Sequence, residues 1–152
     1  MISQHLNIKK IASKYDDLRK NLLPILQDIV KKEKYLSEES MIEVADLLNI
    51  SYAEVYGVSS FYSFLDIEPR GKNIIRICKT ISCDLSGKEK IIKAISNKLK
   101  IKVGETTPDN KFSLFLTNCI GWCHKGPAML INDNVYTELT PEKAIKALEE
   151  YL

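Results

Sequence analysis

NIIRICKTISC (residues 73–83) runs from a β-rich apolar stretch directly into two cysteines, and FSLFLTNCIGWC (residues 112–123) repeats the arrangement. Each reads as a short strand with a cysteine pair at its C-terminal end: Cys78 and Cys83, then Cys119 and Cys123. These are the four cysteines of the chain, spaced C-x4-C, a gap of 35 residues, then C-x3-C. Between the strands, residues 87–100 place Ile91, Ile92, Ile95 and Leu99 at helical spacing, so an amphipathic helix is expected there. A strand–helix–strand crossover makes its two strands parallel. Their C-terminal ends then share one edge of the sheet, and both cysteine pairs arrive at that edge.

Four thiols so gathered admit several chemistries. A looser C-x4-C with a distant second pair fits two irons better than one, each pair closing on its own iron as in a [2Fe–2S] cluster. A structural zinc site usually shows tighter knuckles in a shorter module. Structural disulfides need an oxidising compartment. A thioredoxin-type redox pair needs C-x-x-C, which this chain lacks. His124 adjoins a ligand candidate, but a Rieske-type site needs two His in place of two Cys. His124 is therefore expected to be a surface residue.

Outward from the cysteines, residues 128–132 and 135–137 should pair across a turn at Asp133-Asn134. Thr140-Pro141-Glu142 should open a final helix. Residues 71–152 thus read β-α-β-β-β-α. Upstream the period is helical. Asn21, Ser37 and Ser51 are candidate N-caps, the last in a capping box with Glu54 that opens a helix running toward Leu65. Leu22, Leu23, Ile25, Leu26, Ile29 and Val30 form one apolar stripe, and Met41, Val44, Ala45, Leu47 and Leu48 another. Glu68-Pro69-Arg70-Gly71 breaks the pattern. The expected organisation is a helical module over 1–70 and an α/β cysteine domain over 71–152. Tyr52, Tyr56, Phe61, Tyr62 and Phe64 read first as helix core, and otherwise as a face that docks a partner.

Composition is that of a globular protein, 45% apolar and 28% charged, with a net charge of +2 that points to no nucleic acid. No apolar run is long enough to span a bilayer, so no membrane insertion is expected. Met1–Lys10 lacks the order of a secretory signal, so the expected location is cytoplasmic, with reduced thiols. No Gly-rich dinucleotide or phosphate motif is present, so no catalytic residue or substrate site is expected.

The segments CKTISCDLSG (78–87) and CIGWCHKGPAMLI (119–131), with the preface VYGVSSFYSFLDIEPRGK (55–72), resemble the thioredoxin-like [2Fe–2S] ferredoxin family. That resemblance implies an N-terminal helical module followed by a thioredoxin-like domain, and one [2Fe–2S] cluster per chain on Cys78, Cys83, Cys119 and Cys123. Gly121 and Pro127 match the family's glycine and proline around the last ligand. Ser82, Asp84 and Trp122 depart from the residues expected at those positions.

The resemblance further implies a one-electron relay subunit of an NAD-linked oxidoreductase, with FMN and NAD on a partner subunit and a catalytic iron–sulfur subunit in the same complex. Within that class, nineteen Lys against three Arg and nineteen Ile suggest an AT-rich genome. This composition leans toward a soluble, electron-bifurcating [FeFe]-hydrogenase of an anaerobe. The alternatives are the small subunit of respiratory complex I or of an NAD-dependent formate dehydrogenase. From another class, the cluster holds the fold and passes no net current. Lys79, Lys125 and Arg76 lie near the ligands in sequence, either favouring reduction by their charge or merely solvated.

Overall fold

The computed structural model describes residues 8–152. The leader expectation for residues 1–10 therefore falls mostly outside the described range. The chain divides into two compact units, the first ending at Pro69 and the second spanning Arg70–Leu152. No helix among the described residues is long and apolar enough to cross a membrane.

The first unit holds α1 (Ile8–Ala12), α2 (Leu22–Glu33), α3 (Glu38–Leu48) and α4 (Tyr52–Phe61). Its core is aliphatic: Ile8, Ile11, Ile25, Leu26, Ile29, Leu36 and Val44 are almost wholly buried. Each such side chain contributes roughly 1.5–3 kcal/mol by leaving water. Ser37 and Ser51 cap α3 and α4, accepting from the N–H groups of Ser40 and Glu54. Asn21 does not cap α2. Its side-chain amide donates instead to the Asp17 carbonyl at 2.7 Å. Helix α4 ends at Phe61, short of Leu65, and the main chain closes the unit where Leu36 N–H donates to the Asp66 carbonyl at 2.7 Å.

The aromatic residues of this unit are a correction. Their spacing suggests core packing for Tyr52, Tyr56, Phe61, Tyr62 and Phe64, yet all five are exposed, Phe61 at 79%. Val55 and Ser59 are the buried residues of α4. The aliphatic side chains of α1–α3 already fill the core, so the larger rings are turned outward.

The second unit holds β1 (Asn73–Cys78), α5 (Ile81–Leu85), α6 (Lys88–Leu99), β2 (Phe112–Thr117), β3 (Met129–Ile131), β4 (Asn134–Tyr136) and α7 (Pro141–Glu149). The strands form one sheet in the order β2-β1-β3-β4. β1 and β2 are parallel, as the crossover requires, while β3 and β4 run antiparallel to their neighbours. Ile75, Ile77, Leu114, Met129 and Ile131 share a core with Ile91 and Ile95 of α6 and with Ala144, Ala147 and Leu148 of α7. This is a helix layer on a mixed sheet, with the helical preface as a separate unit.

Two details set the sheet. Gly71 lies so close to β2 that a Cβ there would stand 2.8 Å from the Phe112 carbonyl carbon, which only glycine avoids. The hairpin turn is Asn132-Asp133, one residue earlier than expected. Asn132 takes a left-handed conformation (φ 54°), and its amide oxygen accepts from Ile74 N–H at 2.9 Å.

Candidate metal centre

The parallel register sets Cys78 opposite Thr117 at the last rung of the β1–β2 ladder. Cys119 follows two residues beyond that rung, so both strands deliver a thiol to one edge. Cys83 is not in a loop, as its position before α6 suggests, but within the short helix α5. Cys123 opens a single 3-10 turn, Cys123–Lys125.

The thiols form two unlike pairs. Cys78 and Cys83 are each 1% exposed and pack with Ala128 and Ile120 in a small apolar pocket. Cys119 and Cys123 are exposed, their Sγ atoms 3.1 Å apart. Among the described residues, no three His, Cys, Asp or Glu side chains are grouped to hold one metal ion. The donors come two by two.

Polar groups converge on the sulfurs. Thr80 Oγ1 lies 3.1 Å from Cys78 Sγ, and Gly121 N–H points at Cys119 Sγ at 3.4 Å. Burial raises the Cys78 pKa, but hydrogen bonds from Thr80, Cys83 and the Ile120 N–H outweigh it and leave this thiol more acidic than usual. Burial pushes the Cys83 thiol up, as does its hydrogen bond to Cys78. Cys123 is raised by its hydrogen bond with Cys119 and then by that thiol's charge.

Two glycines shape the edge. Gly121 has φ 88° with open space around it, so its left-handed backbone, rather than crowding, calls for glycine. A Cβ on Gly126 would lie 3.4 Å from Cys83 Sγ, so that loop closes directly over the buried thiol. Pro127, the next residue, is buried.

The neighbouring cations differ from one another. Lys79 and Lys125 are exposed, and the Lys125 ammonium stands 6.0 Å from the Trp122 ring. Arg76 is buried in β1. His124 is exposed and its ring stacks on Trp122 at 5.8 Å. Two residues that sequence reasoning missed flank α5. Lys88 is buried and paired with Asp84 at 3.1 Å, a contact that the i,i+4 spacing signals. Thr80 carries no such signal. Ile81 and Leu85 of α5 are 68% and 82% exposed, giving the edge an apolar rim with Trp122.

The donor set fits a [2Fe–2S] cluster: four soft thiols in two pairs, half sheltered by apolar side chains, with hydrogen-bond donors at sulfur.

A family model described as thioredoxin-like [2Fe-2S] ferredoxin matches residues 8–152. The chain is 41% identical over 137 residues to the E subunit of NADH-quinone oxidoreductase from Buchnera aphidicola subsp. Acyrthosiphon pisum, covering 90% of this chain and 85% of that one. It is 36% identical over 137 residues to the protein of the same name from Escherichia coli K12, covering 90% and 82%. A crystal structure of an air-oxidised NAD+-reducing [NiFe]-hydrogenase superposes with a TM-score of 0.75 at 20% identity, over 86% of this chain and 22% of that chain. That likeness is one of fold.

Proposed function

This chain belongs to the thioredoxin-like [2Fe–2S] ferredoxin family, and from that premise we propose that it is the small electron-relay subunit of an NADH-quinone oxidoreductase. The cluster supplies one-electron acceptance and donation. Buried Cys78 and Cys83 would hold one iron, and exposed Cys119 and Cys123 the other. Ala128 and Ile120 keep water from the buried pair. The exposed pair lies where a flavin-bearing, NADH-binding subunit can approach, and Ile81, Leu85 and Trp122 supply an apolar contact rim. A further iron–sulfur subunit of the same complex takes the electron onward.

The observation that carries this reading is the 41% identity to an NADH-quinone oxidoreductase subunit across nine-tenths of the chain, together with four thiols at one sheet edge. It favours the complex I alternative over the composition-based preference for an [FeFe]-hydrogenase, because the relatives at 36–41% identity are NADH-quinone oxidoreductase subunits. Lysine and isoleucine content reports base composition, not an electron acceptor.

The test is anaerobic purification of the complex. About two irons and two labile sulfides per chain are expected, with a rhombic paramagnetic signal on reduction by NADH. Stoichiometric zinc without sulfide would overturn the cluster. A cluster inert in the working complex, with quinone reduction intact, would favour the purely structural role.

A further inference from the structure

We infer that the Thr80 hydroxyl tunes the reduction potential of the cluster by donating a hydrogen bond to the Cys78 thiolate. The inference rests on the cluster of the proposed function and adds a residue that is not itself a ligand.

Thr80 stands at the N-cap of α5 with extended backbone (φ −73°, ψ 161°). A Thr in that place ordinarily turns its hydroxyl oxygen to a free N–H of the first turn. The other hydroxyl caps here do so: Ser37 accepts from Ser40, Ser51 from Glu54, and Thr140 from Lys143. Thr80 makes no such side-chain cap bond. Its Oγ1 lies instead 3.1 Å from Cys78 Sγ. The hydroxyl is therefore diverted from the helix to the sulfur.

The direction of the bond follows from the chemistry. A metal-bound cysteine has lost its proton and can only accept, so the hydroxyl must donate. One added electron increases negative charge on the sulfurs, with no bond broken and no proton moved. A donor at sulfur then binds the reduced form more strongly than the oxidised form and raises the potential. Burial sharpens the effect, because Cys78 is 1% exposed and water cannot replace the lost donor.

The experiment is a mediated dithionite titration of the cluster-loaded full chain, read by visible absorption and paramagnetic resonance. Thr80→Val keeps the branched shape and removes the hydroxyl, Thr80→Ser keeps the hydroxyl and removes the methyl, and Thr80→Ala removes both. Val and Ala should lower the midpoint, with a three- to tenfold fall in the reduced-to-oxidised ratio at fixed potential. Tenfold corresponds to about 59 mV for one electron. Ser should stay near the parent. If Val does not take up the cluster, Ala against Ser decides. An unchanged midpoint in Ala, or an equal fall in Ser, would overturn the inference. So would loss of the cluster in both Val and Ala with retention in Ser, which would make the hydroxyl a structural requirement. A parent chain that binds no cluster would refute the proposed function itself, whereas unchanged midpoints in loaded variants refute only the role of Thr80.

Discussion

Cys78 and Thr117 face each other across the last rung of two parallel strands. Beyond that rung, Lys79 N–H still donates to the Thr117 carbonyl at 2.8 Å. On the other side of β1, Cys78 N–H donates to the Ala128 carbonyl at 3.1 Å. Cys78 is thus held by the main chains of two neighbouring segments. One leads to Cys119 and the other lies just past Cys123. Strand pairing, rather than a local knuckle, assembles the donor set.

The two pairs should respond unequally to substitution. Cys→Ser at any of the four positions replaces a soft donor with a harder, weaker one and should make the cluster labile or shift its spectrum. Cys78→Ser and Cys83→Ser should lose iron severalfold more than Cys119→Ser and Cys123→Ser, because a buried, imperfectly paired hydroxyl costs about 1–3 kcal/mol. Iron and sulfide analysis after anaerobic purification measures this. His124→Ala should retain full iron. Retention at Cys83→Ser with loss at His124→Ala would refute the ligand set.

Residues 70–152 should bind the cluster without the helical preface. Their core of Ile75, Ile77, Ile91, Leu114 and Leu148 draws on no residue before Arg70. We propose that the preface also docks the partner, in addition to the rim of the cluster domain, through the exposed rings of Tyr52, Tyr56, Phe61, Tyr62 and Phe64. A chain starting at Arg70 should therefore keep its absorption spectrum but fail to co-purify with the NADH-binding subunit. Co-purification at parental yield would place the interface on the cluster domain alone.

Helix caps separate sequence pattern from actual bonding. Ser37→Ala and Ser51→Ala should each cost about 0.5–2 kcal/mol, because both hydroxyls accept first-turn N–H groups. Asn21→Ala removes no cap bond and should cost less, losing a bond to the Asp17 carbonyl. Urea unfolding midpoints check the ranking, and an Asn21→Ala effect at or above the serine values would contradict it.

Asp28 supplies an acid-sensitive contact in the first unit. Its carboxylate accepts from the Lys14 ammonium at 3.1 Å and from the Tyr15 hydroxyl at 3.2 Å. The Lys14 hydrogen bond holds the carboxyl below its ordinary 3.8, against an opposing effect of burial. A depressed folded-state pKa contributes stability above 3.8 that is lost as pH falls through the folded value. Lys14 is 55% exposed, so screening keeps the contribution below about 1 kcal/mol. Asp28→Asn should be slightly less stable than the parent at neutral pH and converge with it in acid. Urea titrations across that range would expose a constant difference, which would rule out the ionic origin.

Much of the fold is legible in the sequence because period and punctuation carry it. The boundaries of β1 and β2 follow their apolar runs, and α6 follows its isoleucine stripe. Helix α1, five residues long, is too short for its Ile8–Ile11 spacing to register as a pattern. The hairpin turn lies one residue early because the left-handed position and the bond to Ile74 both fall to Asn132, a demand made by β1 from far along the chain. The exposed rings of α4 escape a sequence reading because an apolar residue at helical spacing does not reveal whether the core already has enough volume.

Residue type and spacing alone place four thiols in two ordered pairs and call for the parallel strands that bring both pairs to one edge. Packing in three dimensions sets which pair is buried, turns Thr80 to a sulfur rather than its helix, and draws Lys88 inside beside α5. Burial and hydrogen-bond direction are set by what arrives from elsewhere in the chain. Ala128 comes from fifty residues past Cys78 to close its pocket, and no local pattern encodes that arrival.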